Sequence, residues 1–138
     1  GVLQAVVPAA NGISTARDLG TFFAAMANGG ALDGTRLLEP ETVEAATELQ
    51  TETAADGTLA RPMRYAMGYW RGGTASDMFG TLSSPETFGH VGLGSVVAWV
   101  DPTADLTFAY VSNGVREESY EHAARVNQLA DAVYQVYG

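Results

Sequence analysis

Two runs of β-forming residues in the second half of the chain place the strongest constraint on its fold. Residues 94–100 and 106–111 are rich in valine and aromatic side chains, and residues 101–105 join them. A link of this length that contains a proline favours an antiparallel hairpin with a longer loop. Phe88-Gly89-His90 lies just upstream and is predicted to begin the first of these strands, which then bends at its glycines. The sequence therefore predicts antiparallel strands in this half of the chain.

Helix signals lie on both sides of these strands. Thr15 and Asp18 have the spacing of a capping box, and apolar residues then recur on one helical face until Asn28-Gly29-Gly30 ends the helix. Residues 40–49 begin with a proline and predict a second helix. Residues 117–137 predict a third helix. Its expected apolar face consists of Val126, Leu129, Val133 and Val136.

The remaining segments predict loops and one further strand. Residues 31–36, 51–61 and 75–85 are predicted as loops, whereas the aromatic-rich residues 65–70 predict a strand that Gly72-Gly73 ends. The order of elements is helix, helix, antiparallel strands and terminal helix. This order predicts an α+β fold in which helices pack on an antiparallel sheet.

The charge of the chain excludes several classes of partner and of chemistry. Sixteen acidic residues outnumber seven basic ones, and the resulting net charge of −9 disfavours nucleic acid and anionic membrane surfaces. No apolar stretch reaches the roughly 20 residues that span a bilayer. All seven cations are arginines. A Schiff-base lysine, a phosphate-loop lysine and a catalytic Ser-x-x-Lys are therefore absent from these residues.

Cysteine and histidine usage limits the metal chemistry that this chain can support. Cysteine is absent, which excludes disulfides and thiolate zinc sites but leaves the compartment open. The preferred prediction for the compartment is the cytoplasm. The two histidines, His90 and His122, are not at metal-ligand spacing, so we expect no metal and no cofactor. We expect His122 on the surface of the last helix, and Trp70 and Trp99 in the core or in a pocket wall.

One segment, Phe88-Gly89-His90-Val91-Gly92-Leu93-Gly94-Ser95, has the composition of a binding strand. Its glycines allow a ligand or another backbone to approach closely, and its histidine supplies a hydrogen-bond donor or acceptor. On an edge strand, its free N–H groups could bind a carbonyl oxygen, as an oxyanion hole does. The alternative is a flexible, glycine-rich strand start that carries an incidental histidine.

Six segments of the chain, in order, resemble one known family. They are residues 8–19 with Asn28-Gly29-Gly30, residues 37–43, Phe88 to Ser95, and Asp101-Pro102 with residues 108–113. Together they resemble the serine β-lactamase-like hydrolases, which include class C-type β-lactamases, D-alanyl-D-alanine carboxypeptidases and related esterases. Phe88 to Ser95 looks like the third motif of that family in its esterase-type form, His-x-Gly in place of Lys-Thr-Gly. The resemblance covers almost the whole chain.

The resemblance implies roles for the residues of the third motif. His90 and Gly92 match the strand that lines the active site, and the Leu93 N–H matches one donor of the oxyanion hole. In the family the other N–H belongs to the nucleophilic serine. His90 would contact a substrate carboxylate or polarise the site. Val91, Gly94 and Ser95 would belong to the substrate-binding stretch.

The chain also departs from the pattern of the family. It lacks Ser-x-x-Lys and Tyr-x-Asn, which in these enzymes lie upstream of the segments that match. We therefore expect residues 1–138 to be the C-terminal portion of a serine hydrolase for an ester, a lactam or a peptide. The nucleophile would lie on the N-terminal portion of the same enzyme or on another subunit. The alternative is a non-catalytic module on the same scaffold that binds a peptide or a carboxylated ligand by edge pairing.

Overall fold

A computed structural model describes residues 4, 6–7, 12–74, 77–115 and 119–138. Within these residues the helices are α1 (Ala16–Ala27), α2 (Pro40–Thr47) and α3 (Ser119–Tyr137). The strands are β1 (Ala31–Leu32), β2 (Thr35–Arg36), β3 (Thr51–Thr53), β4 (Met63–Tyr65), β5 (Trp70–Arg71), β6 (Phe88–Val91), β7 (Val96–Asp101) and β8 (Leu106–Val111). None of the described helices is long and apolar enough to cross a membrane.

Six strands form one antiparallel sheet whose spatial order, β3-β4-β5-β6-β7-β8, follows the order of the chain. β7 and β8 pair over their whole length, from Val96 opposite Val111 to Asp101 opposite Leu106. The predicted hairpin is therefore confirmed. So is the α+β fold, because helices flank the antiparallel sheet.

Helices cover both faces of this sheet, and β7 is buried between them. Successive residues of a strand point to opposite faces. Val97 and Trp99 pack in the cluster that contains the α3 residues Val126, Ala130 and Tyr134. Ala98 and Val100 pack in a second cluster with Phe23 and Met26 of α1 and Val43 of α2. Burial on both faces accounts for the nearly continuous apolar run in β7, and β6 pairs with this buried strand.

The sequence-based strand boundaries between residues 51 and 70 are wrong. Residues 51–53, predicted as a loop, form β3 and pair with β4. The single strand predicted at 65–70 is divided into β4 and β5. A turn separates them, in which the Ala66 N–H donates to the Tyr69 carbonyl at 2.9 Å and Gly68 has a φ of +88°. Residues 31–36, also predicted as a loop, form the β1–β2 hairpin.

Phe88-Gly89-His90 does not begin the same strand as residues 94–100. These residues belong to β6, which pairs antiparallel with β7 so that Phe88 lies opposite Val100 and Val91 opposite Val97. The chain reverses direction between the two strands at residues 92–95. The φ of +71° at Gly94 permits this reversal, because glycine adopts positive φ without steric strain.

α1 and α2 begin where the sequence predicts. The face that α3 buries in the core differs from the predicted one. The capping box of Thr15 and Asp18 is present, and α2 begins at Pro40. On α3 the buried residues are His122, Val126, Ala130 and Tyr134, a stripe with a spacing of four. The predicted face at Leu129 and Val136 is solvent-exposed, and the surface position expected for His122 is wrong.

Some predictions fall on residues outside the described part of the chain. These are residues 8–11, 75–76 and 117–118.

Candidate functional site

The bend between β6 and β7 contains four of the site residues predicted from the sequence: Gly92, Leu93, Gly94 and Ser95. The Gly92 N–H donates to the Val96 carbonyl at 2.8 Å and closes the bend at its first residue. At its last residue, the Ser95 carbonyl accepts hydrogen bonds from the N–H and the hydroxyl of Ser112, at 2.9 and 3.2 Å. The bend is therefore fixed at both ends to the hairpin of β7 and β8.

β6 has a free edge next to this bend. β5 is only two residues long and pairs with Phe88 and Gly89, so no described strand pairs with that side of β6 from His90 onward. Gly92 donates toward β7, and successive amides of a strand alternate in direction, so a continuation of the strand pattern by one residue would direct the Leu93 N–H to the free edge. Within the described part of the chain this N–H has no acceptor. The Leu93 side chain is 89% exposed.

His90 lies at the same free edge and is oriented by its own backbone and by an aromatic neighbour. Its Nδ1 lies 2.8 Å from the Val91 carbonyl. A carbonyl can only accept, so we assign the proton to Nδ1, which leaves Nε2 as an acceptor in the neutral ring. The imidazole packs against the Trp70 indole with ring centroids 5.3 Å apart. The Arg61 guanidinium carbon in turn lies 5.4 Å from the Trp70 ring centroid.

Two α3 residues, the buried His122 and the half-buried Arg125, lie against the bend. Arg125 donates to the Gly94 carbonyl at 3.4 Å, and the same guanidinium nitrogen lies 3.0 Å from Nδ1 of His122. The guanidinium carbon is 5.6 Å from the ring centroid of Tyr110 on β8. Burial lowers the pKa of His122, and the charge of Arg125 lowers it further. A neutral His122 can accept the Arg125 hydrogen bond at Nδ1.

The arrangement at the free edge can bind a carbonyl oxygen. An unpaired backbone N–H that is held rigidly in a strand bend stabilises negative charge that develops on such an oxygen. The imidazole of His90, three residues earlier in the chain, can accept a hydrogen bond from a hydroxyl group in its neutral form. Among the described residues, no group of three His, Asp or Glu side chains could hold a metal ion.

The sequence prediction names the residues of the bend and gives no role to the residues that surround them. Trp70 is buried, as expected for a core residue, but its contact with His90 was not predicted. Arg61 and Arg125 carried no site prediction, because they lie far from the motif along the chain. The spacing of four between His122 and Val126 was the available signal for the buried position of His122. No local signal pointed to Arg61.

A family model, Beta-lactamase, matches residues 2–132 of the chain. The chain is 39% identical over 112 residues to Esterase/beta-lactamase LipL of Mycobacterium tuberculosis, covering 81% of this chain and 24% of that protein. It is 33% identical over 100 residues to a protein of Escherichia coli (strain K12) with the provisional name D-alanyl-D-alanine carboxypeptidase. That match covers 72% of this chain and 21% of that protein. The chain thus spans about a quarter of the length of these relatives.

A solved structure shares the fold. A penicillin-binding protein homologue from Caulobacter crescentus superposes with a TM-score of 0.64 and is 30% identical to this chain. The match covers 83% of this chain and 30% of that structure.

Proposed function

The chain belongs to the Beta-lactamase family, and from that premise we propose that it forms the oxyanion side of a serine hydrolase. The reaction would cleave an ester or an amide through an acyl-serine intermediate. The observation that carries the proposal is the Leu93 N–H, which has no acceptor among the described residues and follows the His-x-Gly motif at a free strand edge. Residues 1–138 would be the C-terminal portion of the enzyme.

In this proposal the Leu93 N–H stabilises the tetrahedral oxyanion. The nucleophilic serine, its base and the second N–H lie on residues outside this sequence, because no Ser-x-x-Lys occurs within it. Val91, Gly94 and Ser95 form the backbone along which the substrate binds. His90 offers Nε2 as an acceptor to a hydroxyl group at the reaction centre.

The chemistry of His90 favours an uncharged ester over a carboxylate-bearing lactam or peptide. A lysine in this position presents an ammonium group, which attracts a carboxylate at any physiological pH. An imidazole with a proton on Nδ1 carries no permanent charge, and in its neutral form Nε2 is an acceptor, so it attracts a carboxylate less than an ammonium group does. The name of the Mycobacterium tuberculosis relative includes both activities, so it supports the family chemistry without deciding the substrate.

The alternative function is a non-catalytic module that binds an extended peptide along the free edge of β6. It is favoured by the absence of a lysine from the whole chain. In that case the unpaired amides would pair with a peptide backbone, and no covalent intermediate would form.

The test is made on the full-length gene product that contains this chain. We expect hydrolysis of a p-nitrophenyl ester to exceed hydrolysis of a chromogenic cephalosporin. We also expect a fluorophosphonate to label one serine of the full-length product covalently, and the mass of the product to rise by one label. A product that hydrolyses neither substrate and takes up no label would contradict the proposal and favour the binding module.

A further inference from the structure

The conformation of the bend at residues 92–95 depends on a contact in its middle. Its ends are held by the backbone of β7 and by Ser112. The exposed Leu93 side chain gives the bend no packing. Between these points Gly94 has a positive φ, and its carbonyl accepts a hydrogen bond from Arg125. Gly94 itself is buried.

Arg125 is itself held in place from two directions. The Tyr110 ring lies against its guanidinium group, at a distance that gives a favourable cation–π interaction. Nδ1 of His122 lies 3.0 Å from the nitrogen that reaches Gly94. Two nitrogens, Nε of Arg125 and Nε2 of His122, are buried and have no hydrogen-bond partner among the residues that the structure describes. Each of these two side chains thus has one buried nitrogen without a partner there, and the hydrogen bond that Arg125 makes to the bend is to the Gly94 carbonyl.

We infer that Arg125 is a positioning residue for the hydrolytic reaction: through the Gly94 carbonyl it fixes the bend that directs the Leu93 N–H to the free edge of β6. The inference rests on the proposed function for its kinetic consequence. Arg125 acts through the bend and not by contact with the substrate. His122 and Tyr110 hold the guanidinium in the orientation that this contact needs.

The kinetic test compares Arg125→Met and Arg125→Lys in the full-length gene product. A misplaced oxyanion donor weakens transition-state binding more than substrate binding. We therefore expect Arg125→Met to lower kcat for an ester about 10- to 100-fold, with KM changed by less than about twofold. Arg125→Lys retains the charge but not the planar fork, so it recovers only part of kcat. A rise in KM at unchanged kcat would overturn the inference, because Arg125 would then bind the substrate.

The matched control is Arg36→Met. Arg36 also donates to backbone carbonyls, those of Gly29 and Leu38 at 3.1 and 2.8 Å, but it lies in the β1–β2 hairpin. We expect this variant to lower stability and to leave kcat and KM unchanged. An equal loss of kcat in both variants would show a general effect of stability and would overturn the positioning role.

A second measurement separates this inference from the proposed function. The ¹⁵N–¹H resonances and amide exchange rates of Leu93, Gly94 and Ser95 are compared between the wild type and Arg125→Lys. We expect these three amides to shift and to exchange faster in the variant, whether or not the protein hydrolyses esters. Unchanged resonances at all three positions would overturn the inference even if the enzyme were active.

Discussion

At the residue scale, Asp101 connects three parts of the molecule. Its side chain is 1% exposed and accepts hydrogen bonds from the N–H and hydroxyl of Ser84, the Thr103 N–H and the Tyr134 hydroxyl, all within 2.9 Å. It thereby links the end of β7 to α3 and to the loop between β5 and β6, which contains Ser84. Burial alone would raise the pKa of Asp101, but the hydrogen bonds from Ser84, Tyr134 and Thr103 outweigh burial and lower it.

We predict that Asp101→Asn destabilises the protein by about 1.5–3 kcal/mol at pH 7, the range for a hydrogen bond to a charged group. The folded-state pKa is lowered, so the stabilisation is present above the unfolded pKa of about 3.9 and is lost as the pH falls through the folded pKa. Urea unfolding of both proteins between pH 3 and pH 7 measures this difference. Asp105→Asn, in the exposed part of the same turn, is the matched control. A difference between wild type and Asp101→Asn that does not shrink toward pH 3 would contradict the account.

At the element scale, the sequence predicts elements whose signals are local and misses those that depend on distant partners. The cap of α1, the proline at the start of α2 and the β7–β8 hairpin are all specified by neighbouring residues. β3 is a short polar strand, and only its pairing with β4, about ten residues away, defines it. In the same way, the site prediction is drawn from one continuous segment, Phe88 to Ser95. It does not include Arg125, which only the packing of α3 brings to the bend.

The start of α1 provides a test of this local specification. The Thr15 hydroxyl accepts from the Asp18 N–H at 3.1 Å, and the Asp18 carboxylate accepts from the Thr15 N–H at 3.0 Å. We predict that Thr15→Ala lowers the free energy of unfolding by about 1 kcal/mol, because one N-terminal amide of the helix loses its acceptor. Thr15→Ser keeps the hydroxyl and is the control. Equal unfolding free energies for the alanine and serine variants would show that the cap does not stabilise the helix.

At the scale of the whole molecule, the sheet and its two helical layers hold one strand edge in a fixed position. β6 is paired with β7 along its length but with β5 only at Phe88 and Gly89. A Cβ at Gly89 would collide with the backbone of Ala98 and the Cβ of Trp99, so β6 lies unusually close to β7. The edge thus ends at a bend in which Leu93 is exposed and Gly94 is buried. Because the chain has no lysine, the proposal assigns the catalytic base to other residues.

The central claim is that the backbone N–H of Leu93 stabilises the oxyanion, and the contrast between Leu93→Pro and Leu93→Ala tests it most directly. Both variants remove the exposed side chain, but only proline removes the N–H. In the full-length gene product we predict a kcat for ester hydrolysis about 10²- to 10³-fold lower in Leu93→Pro than in Leu93→Ala, the loss expected for one oxyanion-hole donor. Thermal unfolding of both variants confirms that they are folded. Equal kcat values in two folded variants would contradict the claim.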